Sequence, residues 1–283
     1  MSSILLAGGT GTVGREVVKG LSARGFAPRV LSRDPEKARH LFGASIDVVP
    51  GDLVHPASLA DPLRGVEVAY VATTPGPELD VQESNFFEAA RAAGVRRVVK
   101  LSAYGVEEAT DRIHGCHAAS ERRLKSSGLG YVILEPVMFM SNLLWEAATI
   151  KNGTLASTFA DGRMSFVDPR DVAELAVLAL TSPEQGDAVW AFGGPEALSY
   201  DDVAGTFSRV LGRRVEHLRL DDAAFRRAAA QLPEIVLEAI TSSAVMAQEG
   251  KYEVSDRLVN DKLGRRARSL ESWVAAHRAA FTD

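Results

Sequence analysis

The chain opens with an apolar run, Ile4-Leu5-Leu6-Ala7, and then changes period. Val13, Val17, Val18 and Leu21 fall on one helical face, with Arg15, Glu16 and Lys19 elsewhere. The alternation then repeats. Ala27 to Ser32, Ile46 to Pro50, Val66 to Ala72, Val98 to Ser102 and Tyr131 to Leu134 read as strands. Between them, Asp34-Pro35 starts a short helix with Asp34 as its cap. Leu79 to Ala93 is a helix closed by Gly94, and His117 to Ser127 is a helix closed by Gly128. Strands rich in Val, Ile and Leu, without a clean polar alternation, predict a parallel sheet covered on both faces. The expected fold class is therefore α/β, a doubly wound parallel sheet with helices on both faces. Its ligand should lie outside the carboxyl ends of the strands.

The later chain is less regular. Met138 to Ile150 is apolar and reads as helical, and Asp171 to Leu180 is a strong helix. Val189 to Phe192 is a strand, Tyr200 to Leu211 a helix, and Arg214 to Leu220 a strand. Asp221-Asp222 caps a helix running to Gln231, and the amphipathic stretch Leu232 to Gln248 is bounded by Pro233 and Gly250. Neither internal repeats nor a low-complexity linker divide the chain. The pattern predicts a dinucleotide-binding domain over 1–136, with 165–194 returning to it. A smaller, partly helical substrate lobe is expected over 137–164 and 195–283. Within that lobe, 232–248 is either a lid with hinges at its proline and glycine or a plain surface helix.

Composition narrows the class. A chain of 283 residues, 46% hydrophobic and 24% charged, suits a soluble enzyme with a sizeable core. The formal net charge of −5 argues against a general nucleic-acid binder. Arg96-Arg97, Arg122-Arg123 and Arg265-Arg266 are scattered among acids and read as solvated faces. No apolar run is long enough to span a bilayer, and the chain enters its first strand at once, so neither a membrane anchor nor a signal peptide is expected. Cys116 is the only cysteine, which rules out an intrachain disulfide and fits a cytoplasmic location. No metal-ligand spacing is present. The expected partners are a small aromatic substrate and, at most, a second copy of the chain, giving a monomer or a homodimer.

The candidate chemistry begins at Gly8-Gly9-Thr10-Gly11-Thr12-Val13-Gly14, where Gly9, Gly11 and Gly14 fit the G-x-G-x-x-G spacing. Between a strand and a helix this is a dinucleotide-binding turn of the Rossmann kind. Gly11 lets a pyrophosphate approach the backbone, and Gly14 lets the helix pack on the strand. Backbone or side-chain contacts are thus expected from Gly8, Thr10, Gly11, Thr12, Val13 and Gly14. The second strand ends in Ser32-Arg33. An acid at that point favours a free ribose 2′-hydroxyl, whereas an arginine favours a 2′-phosphate. Ser32, Arg33 and Lys37 therefore suggest NADP(H), with NADH bound more weakly, and Asp34 is the competing acid unless it caps the following helix. Asp52-Leu53 is placed to flank the adenine, or Asp52 is a turn residue; the small-residue loop Ala72-Thr73-Thr74 lets backbone approach the middle of the cofactor.

Several segments together resemble one family. GGTGTVG, LSRDPEKA, GDLVHPASLADPLRGVE, RAAGVRRVVKLSA, HAASERRLKSSGLGYVILEP with VMFMSN, FVDPRDVAELA and LGRRARSLESWVAAHRAAF are similar to the NmrA-like branch of the atypical short-chain dehydrogenase/reductases. The resemblance covers almost the whole chain. It implies a Rossmann domain, a preference for NADP(H), and a small C-terminal lobe closing a substrate cleft. Family members include quinone reductases, ketone reductases of aromatic polyketide pathways, and regulators that bind the cofactor without turnover.

Active short-chain reductases carry a Tyr-x-x-x-Lys pair on the helix after the fifth strand. Counted back from Glu121, the lysine position falls on His117 and the tyrosine position on Ile113, so the usual general acid is missing. The resemblance implies that His117 bonds the nicotinamide ribose, unless local backbone satisfies it. It puts Ser102 near the substrate-orienting serine, with Ala103 unable to take that part. His114 and Tyr104 are further candidates for proton delivery. Pro136-Val137 stands where the family sets backbone against the nicotinamide carboxamide. Tyr104, Met138, Phe139, Asn142 and Trp145, with Phe159 and Phe166 behind them, are the expected substrate contacts.

The implied activity is NADPH-dependent hydride transfer to an aromatic polyketide ketone or a quinone, with Ser102 and His117 as the catalytic candidates. Such acceptors delocalise or internally bond the incoming charge and need less from a protein acid. The alanine- and arginine-rich composition suggests a high-GC bacterium, where aromatic polyketide antibiotic biosynthesis is common. The competing expectation is a redox-sensing regulator that binds NADP(H) without turnover.

Overall fold

A computed structural model describes residues 3–182 and 186–282. In chain order its elements are β1 (Ile4–Ala7), α1 (Thr12–Ala23), β2 (Arg29–Ser32), α2 (Pro35–Phe42), β3 (Asp47–Pro50), α3 (Ala60–Leu63) and β4 (Val68–Val71). Next come α4 (Leu79–Ala92), β5 (Arg97–Leu101), α5 (Arg112–Ser126), β6 (Gly130–Pro136), β7 (Met138–Phe139), α6 (Ala147–Lys151), β8 (Thr154–Ser157) and β9 (Phe166–Val167). The chain closes with α7 (Pro169–Thr181), β10 (Ala188–Phe192), α8 (Tyr200–Leu211), β11 (Glu216–Arg219), α9 (Asp222–Ala228), α10 (Glu234–Gln248), α11 (Arg257–Leu263) and α12 (Leu270–Ala276).

Two compact units emerge. The first holds the chain to Ala103, Gly115–Glu135 and Val172–Trp190. Its sheet has the strand order β10-β6-β5-β4-β1-β2-β3, and β1 to β6 pair in parallel. This is the doubly wound Rossmann sheet expected from the apolar runs. β1 and β4 are buried at every position, as strands covered on both faces must be. Leu5, Ala7, Ala69, Val71, Val98 and Ile133 pack with Phe86, Phe87 and Ala90 of α4. The α1 stripe buries Val13, Gly14, Val17, Val18 and Leu21, the face read from the sequence. Strand order reverses between β1 and β4, and that switch point is where such sheets take their ligand. Arg97 of β5 is buried and caps the end of α7, donating to the carbonyls of Ala179 at 3.1 Å and Ser182 at 3.0 Å.

Helix α5 starts earlier than the expected His117. The Asp111 carboxylate accepts from the His114 backbone N–H at 3.1 Å, a cap that adds the turn containing Ile113 and His114.

The second unit holds Tyr104–His114, Pro136–Asp171 and the chain from Ala191. Its core gathers Met140, Leu143, Leu155, Phe159, Phe166, Phe207, Trp273 and Phe281. Tyr104 packs on this core, so Tyr104–His114 joins the second unit although it falls within the expected 1–136 domain. The return to the first unit begins at Val172, not at 165. Buried Asp171 accepts from the Arg265 guanidinium at 2.7 Å, the Arg268 backbone N–H at 2.7 Å and the Arg268 side chain, which ties down the C-terminal segment. Residues 138–150 are not one helix. Met138–Phe139 pairs in parallel with Phe166–Val167, a 3₁₀ turn covers Met140–Glu146, and only Ala147–Lys151 is α-helical. A 3₁₀ turn repeats every three residues, which buries Met140 and Leu143 on one side.

Candidate active site

The glycine-rich turn is built by close backbone contacts. Gly8 has φ +94°, and a Cβ there would meet the Ala72 carbonyl oxygen at 2.2 Å. The loops after β1 and β4 therefore touch at the switch point. A Cβ on Gly14 would lie 2.1 Å from the Gly8 oxygen and 2.7 Å from Gly9 Cα. Gly11 differs: it is exposed, has φ −75°, and a Cβ there would meet only the Gly8 oxygen, at 3.4 Å. Arg15 donates from Nε to the Thr10 carbonyl at 2.8 Å and braces the turn. Helix α1 begins at Thr12 with no side-chain cap and no acid in its first turn. Its first N–H groups are thus left for an anion, the condition for binding a pyrophosphate. Val13 is buried by its side chain, so only its backbone can meet a ligand. Beside the turn, the Thr73 hydroxyl is buried without a partner, an orphan that a bound molecule would satisfy. Thr74 is exposed on the same loop. The cradle fits a dinucleotide.

At the end of β2 the competing acid has a local role. Asp34 accepts from the Lys37 backbone N–H at 3.0 Å as the cap of α2. Ser32 Oγ donates to the Asp34 carbonyl at 2.9 Å and accepts from its N–H at 3.1 Å. The Arg33 guanidinium and the Lys37 ammonium are exposed and engage no carboxylate among the described residues. Asp52 is a turn residue: it accepts from the Val54 N–H at 3.0 Å, and its own N–H donates to Ser58. Asn85 of α4 donates to the Leu53 carbonyl at 2.8 Å and so fixes the strand end opposite, a contact the sequence did not suggest.

At the end of β5 lies a buried polar group of residues from four elements. Lys100 and Glu83 are both 0% exposed, and Lys100 Nζ donates to Glu83 Oε2 at 2.8 Å. The same ammonium donates to the Leu101 carbonyl and to His117 Nδ1, each at 3.3 Å. Ser120 donates to Glu83 Oε2 as well. Glu83 Oε1 and the Tyr70 hydroxyl are buried without partners, and burial, with the Glu83 charge nearby, pushes the Tyr70 phenol well up. Ser102, 5% exposed, donates to Glu121 Oε1 at 2.6 Å, while Lys125 donates to Oε2 at 3.0 Å. The Ser102 proton is therefore committed to a carboxylate, and its oxygen is left to accept. Glu83 and Lys100 were not singled out in the sequence. The available signal was a lysine inside the apolar run Val98-Val99-Lys100-Leu101, because a charge in a buried strand demands a partner.

The remaining expected residues fall in the second unit. Pro136 accepts from the Tyr104 N–H at 3.0 Å, and the Val137 N–H donates to Phe192 at 3.2 Å, so that N–H is already engaged. Tyr104 meets Tyr252 edge to face, with ring centroids 6.1 Å apart. Met138, Phe139 and Asn142 are half-buried, and Trp145 is 66% exposed. Phe159 and Phe166 are core residues rather than a pocket wall: both pack on Tyr200, Phe159 stacked at 5.0 Å and Phe166 edge-on at 6.0 Å. Ile113 is buried. Asp111 accepts from His114 Nδ1 at 2.7 Å. Burial pushes the Asp111 carboxyl up, but the hydrogen bonds and charge of His114, with help from Ser242, outweigh it and hold it at about 2. Helix α10 is anchored at its C-terminal half, where Met246 and Ala247 join the core. Among the described residues no three His, Cys, Asp or Glu side chains are grouped to hold a metal, and no helix is long and apolar enough to cross a membrane.

Fold and site together define a nucleotide-dependent oxidoreductase built on a doubly wound sheet. The family described as NAD(P)H-binding matches residues 8–183. The chain is 38% identical to the (4-alkanoyl-5-oxo-2,5-dihydrofuran-3-yl)methyl phosphate reductase of Streptomyces griseus, over 98% of this chain and 99% of that protein. It is 31% identical to the NAD(P)H azoreductase of Xenophilus azovorans, again over 98% and 99%. Its fold matches an NADPH-dependent quinone oxidoreductase of Escherichia coli in complex with NADPH, with a TM-score of 0.89 at 24% identity over 97% of this chain and 99% of that one. The chain belongs to the NAD(P)H-binding family, consistent with the atypical short-chain dehydrogenase/reductases. It is an NAD(P)H-dependent oxidoreductase.

Proposed function

We propose that the protein reduces an electron-poor conjugated acceptor, a quinone or an aromatic polyketide ketone, with NADPH in preference to NADH. The observation that carries the reaction class is Ile113, an apolar side chain where short-chain reductases hold their acid. A site without that acid favours acceptors that spread or internally bond the new charge. The named relatives support this reading, since one is a reductase of an unsaturated lactone phosphate and the other an azoreductase. The preference for NADPH rests on Asp34 being committed to a cap while Arg33 and Lys37 stay free for a 2′-phosphate.

Gly8, Thr10, Gly11, Thr12, Val13 and Gly14 would hold the pyrophosphate, with Thr73 beside them. His117 would hold the nicotinamide ribose and Leu53 would flank the adenine. When bound, NADPH supplies the hydride. Ser102 offers an acceptor oxygen, because its proton is turned to Glu121. Substrate contacts are assigned to Tyr104, Met138, Phe139, Asn142 and Trp145, and the working compartment to the cytoplasm.

The test is NADPH oxidation against quinones, hydroxylated polycyclic ketones, unsaturated lactones and azo dyes, with a saturated alkyl ketone as control. Turnover confined to the conjugated acceptors is expected. Equal turnover of the alkyl ketone would overturn the reading. No turnover despite tight NADPH binding would favour a cofactor-sensing role instead.

A further inference from the structure

Lys100 lies beneath His117 with all three of its N–H groups accounted for: Glu83 Oε2 at 2.8 Å, the Leu101 carbonyl at 3.3 Å and His117 Nδ1 at 3.3 Å. An ammonium has three donors and no acceptor. The imidazole nitrogen facing it must therefore carry a lone pair. We infer that Lys100 is a positioning residue that fixes His117 as the neutral tautomer protonated on Nε2. This rests on the reading of His117 as the residue that holds the nicotinamide ribose.

The arrangement is over-determined. Glu83 of α4 compensates the ammonium and is itself held by Ser120 of α5. Tyr70 of β4, whose phenol burial keeps protonated, lies near Glu83, and Glu121 of α5 is engaged by Ser102 and Lys125. A second proton on His117 would turn an N–H toward an N–H at 3.3 Å. A ring protonated on Nε2 donates from that nitrogen and does not accept there. It can hold a ribose oxygen or a developing oxyanion, but it is not a standing imidazolium that gives up a proton in each cycle. The proton that completes reduction then comes from another group or from solvent.

Long-range proton–nitrogen NMR on protein with isotope-labelled histidine, at neutral pH and without cofactor, reads the tautomer directly. A His117→Gln variant assigns the signals. Nδ1 should resonate as an unprotonated nitrogen and Nε2 as a protonated one. In Lys100→Met the two shifts should move toward each other, and the dissociation constant for NADPH should rise about fivefold, the loss of one net hydrogen bond. Lys100→Arg, which keeps donors at that end of the side chain, should recover part of the affinity. Protonated Nδ1 in the native protein would overturn the inference, as would unchanged shifts in a folded Lys100→Met. Should that variant fail to fold, the native tautomer alone decides. A failed acceptor panel would count against the proposed reaction and leave the ring measurement untouched, because no cofactor or substrate is present.

Discussion

Two glycines in one turn should respond in opposite ways to the same added methyl group. At Gly14 a Cβ would lie 2.1 Å from the Gly8 oxygen, 2.7 Å from Gly9 Cα and 2.9 Å from Gly8 C. All three are backbone atoms, so no flexible side chain can move aside. Overpacking of this kind costs about 1–3 kcal/mol, which for a chain of this size lowers Tm by roughly 2–12 °C. At Gly11 the nearest atom is 3.4 Å away and φ is −75°, so Gly11→Ala should leave stability within about 0.5 kcal/mol of the native value. Its methyl group would stand where the pyrophosphate approaches. Pushing a phosphate back breaks at least one charge-assisted hydrogen bond, about 1.5–3 kcal/mol, and so should weaken NADPH binding at least tenfold. Thermal unfolding and fluorescence titration on both variants give four numbers. The expected pattern is Gly14→Ala unstable and Gly11→Ala stable but weak in binding. A Gly11→Ala protein that binds NADPH with native affinity would refute the placement of the pyrophosphate on this turn.

Three further outcomes follow from the structure. Arg33→Ala should weaken NADPH by about tenfold and leave NADH within about twofold, measured by parallel titrations; equal losses would remove Arg33 from the 2′-phosphate. Arg97→Ala leaves the Ala179 and Ser182 carbonyls at the end of α7 without their donor and should cost about 2–3 kcal/mol in urea unfolding. Asp111 is held at about 2, below its ordinary value, so its ionised form stabilises the fold above about pH 4, and that contribution is lost as pH falls through about 2. Asp111→Asn should therefore be less stable by about 2 kcal/mol near neutrality, with the gap to the native protein closing on acidification. A gap that stays constant down to low pH would assign the loss to packing instead.

The sheet was legible because each of its strands is an apolar run bounded by a turn signal, and such runs have one reading when helices alternate with them. Ala27 to Ser32 shortens to Arg29–Ser32 and Ile46 to Pro50 shortens to Asp47–Pro50, differences of one or two residues at frayed ends. The stretch from Met138 misled because Met140 and Leu143 suit a helix, while pairing of Met138 with Phe166 is non-local and invisible along the chain. β8 likewise exists only through its partner β11, far away in sequence. Helix α12 was missed although Ser269 caps it and Leu270, Trp273 and Val274 line its buried face; at seven residues it is too short for periodicity to stand out. The glycine-rich turn and the cap at Asp34 were local, and so readable. The contacts among Glu83, Lys100 and His117 join three elements, and no spacing along the chain encodes them.

The absent phenol and the constrained imidazole point the same way. Reduction of an isolated ketone leaves an alkoxide, whose conjugate acid resembles water and is a far weaker acid than a phenol. Reduction of a quinone leaves a phenolate, whose conjugate acid lies near 10, as for tyrosine. That difference relieves the site of proton-donor work. On the proposed reading, with Ile113 at the acid position and His117 donating from Nε2, one neutral donor supplies about 1 kcal/mol. It cannot make up that deficit for the alkyl ketone, but it is enough to orient an acceptor that carries its own charge sink. On that reading, selectivity for conjugated acceptors would be imposed by what the site lacks.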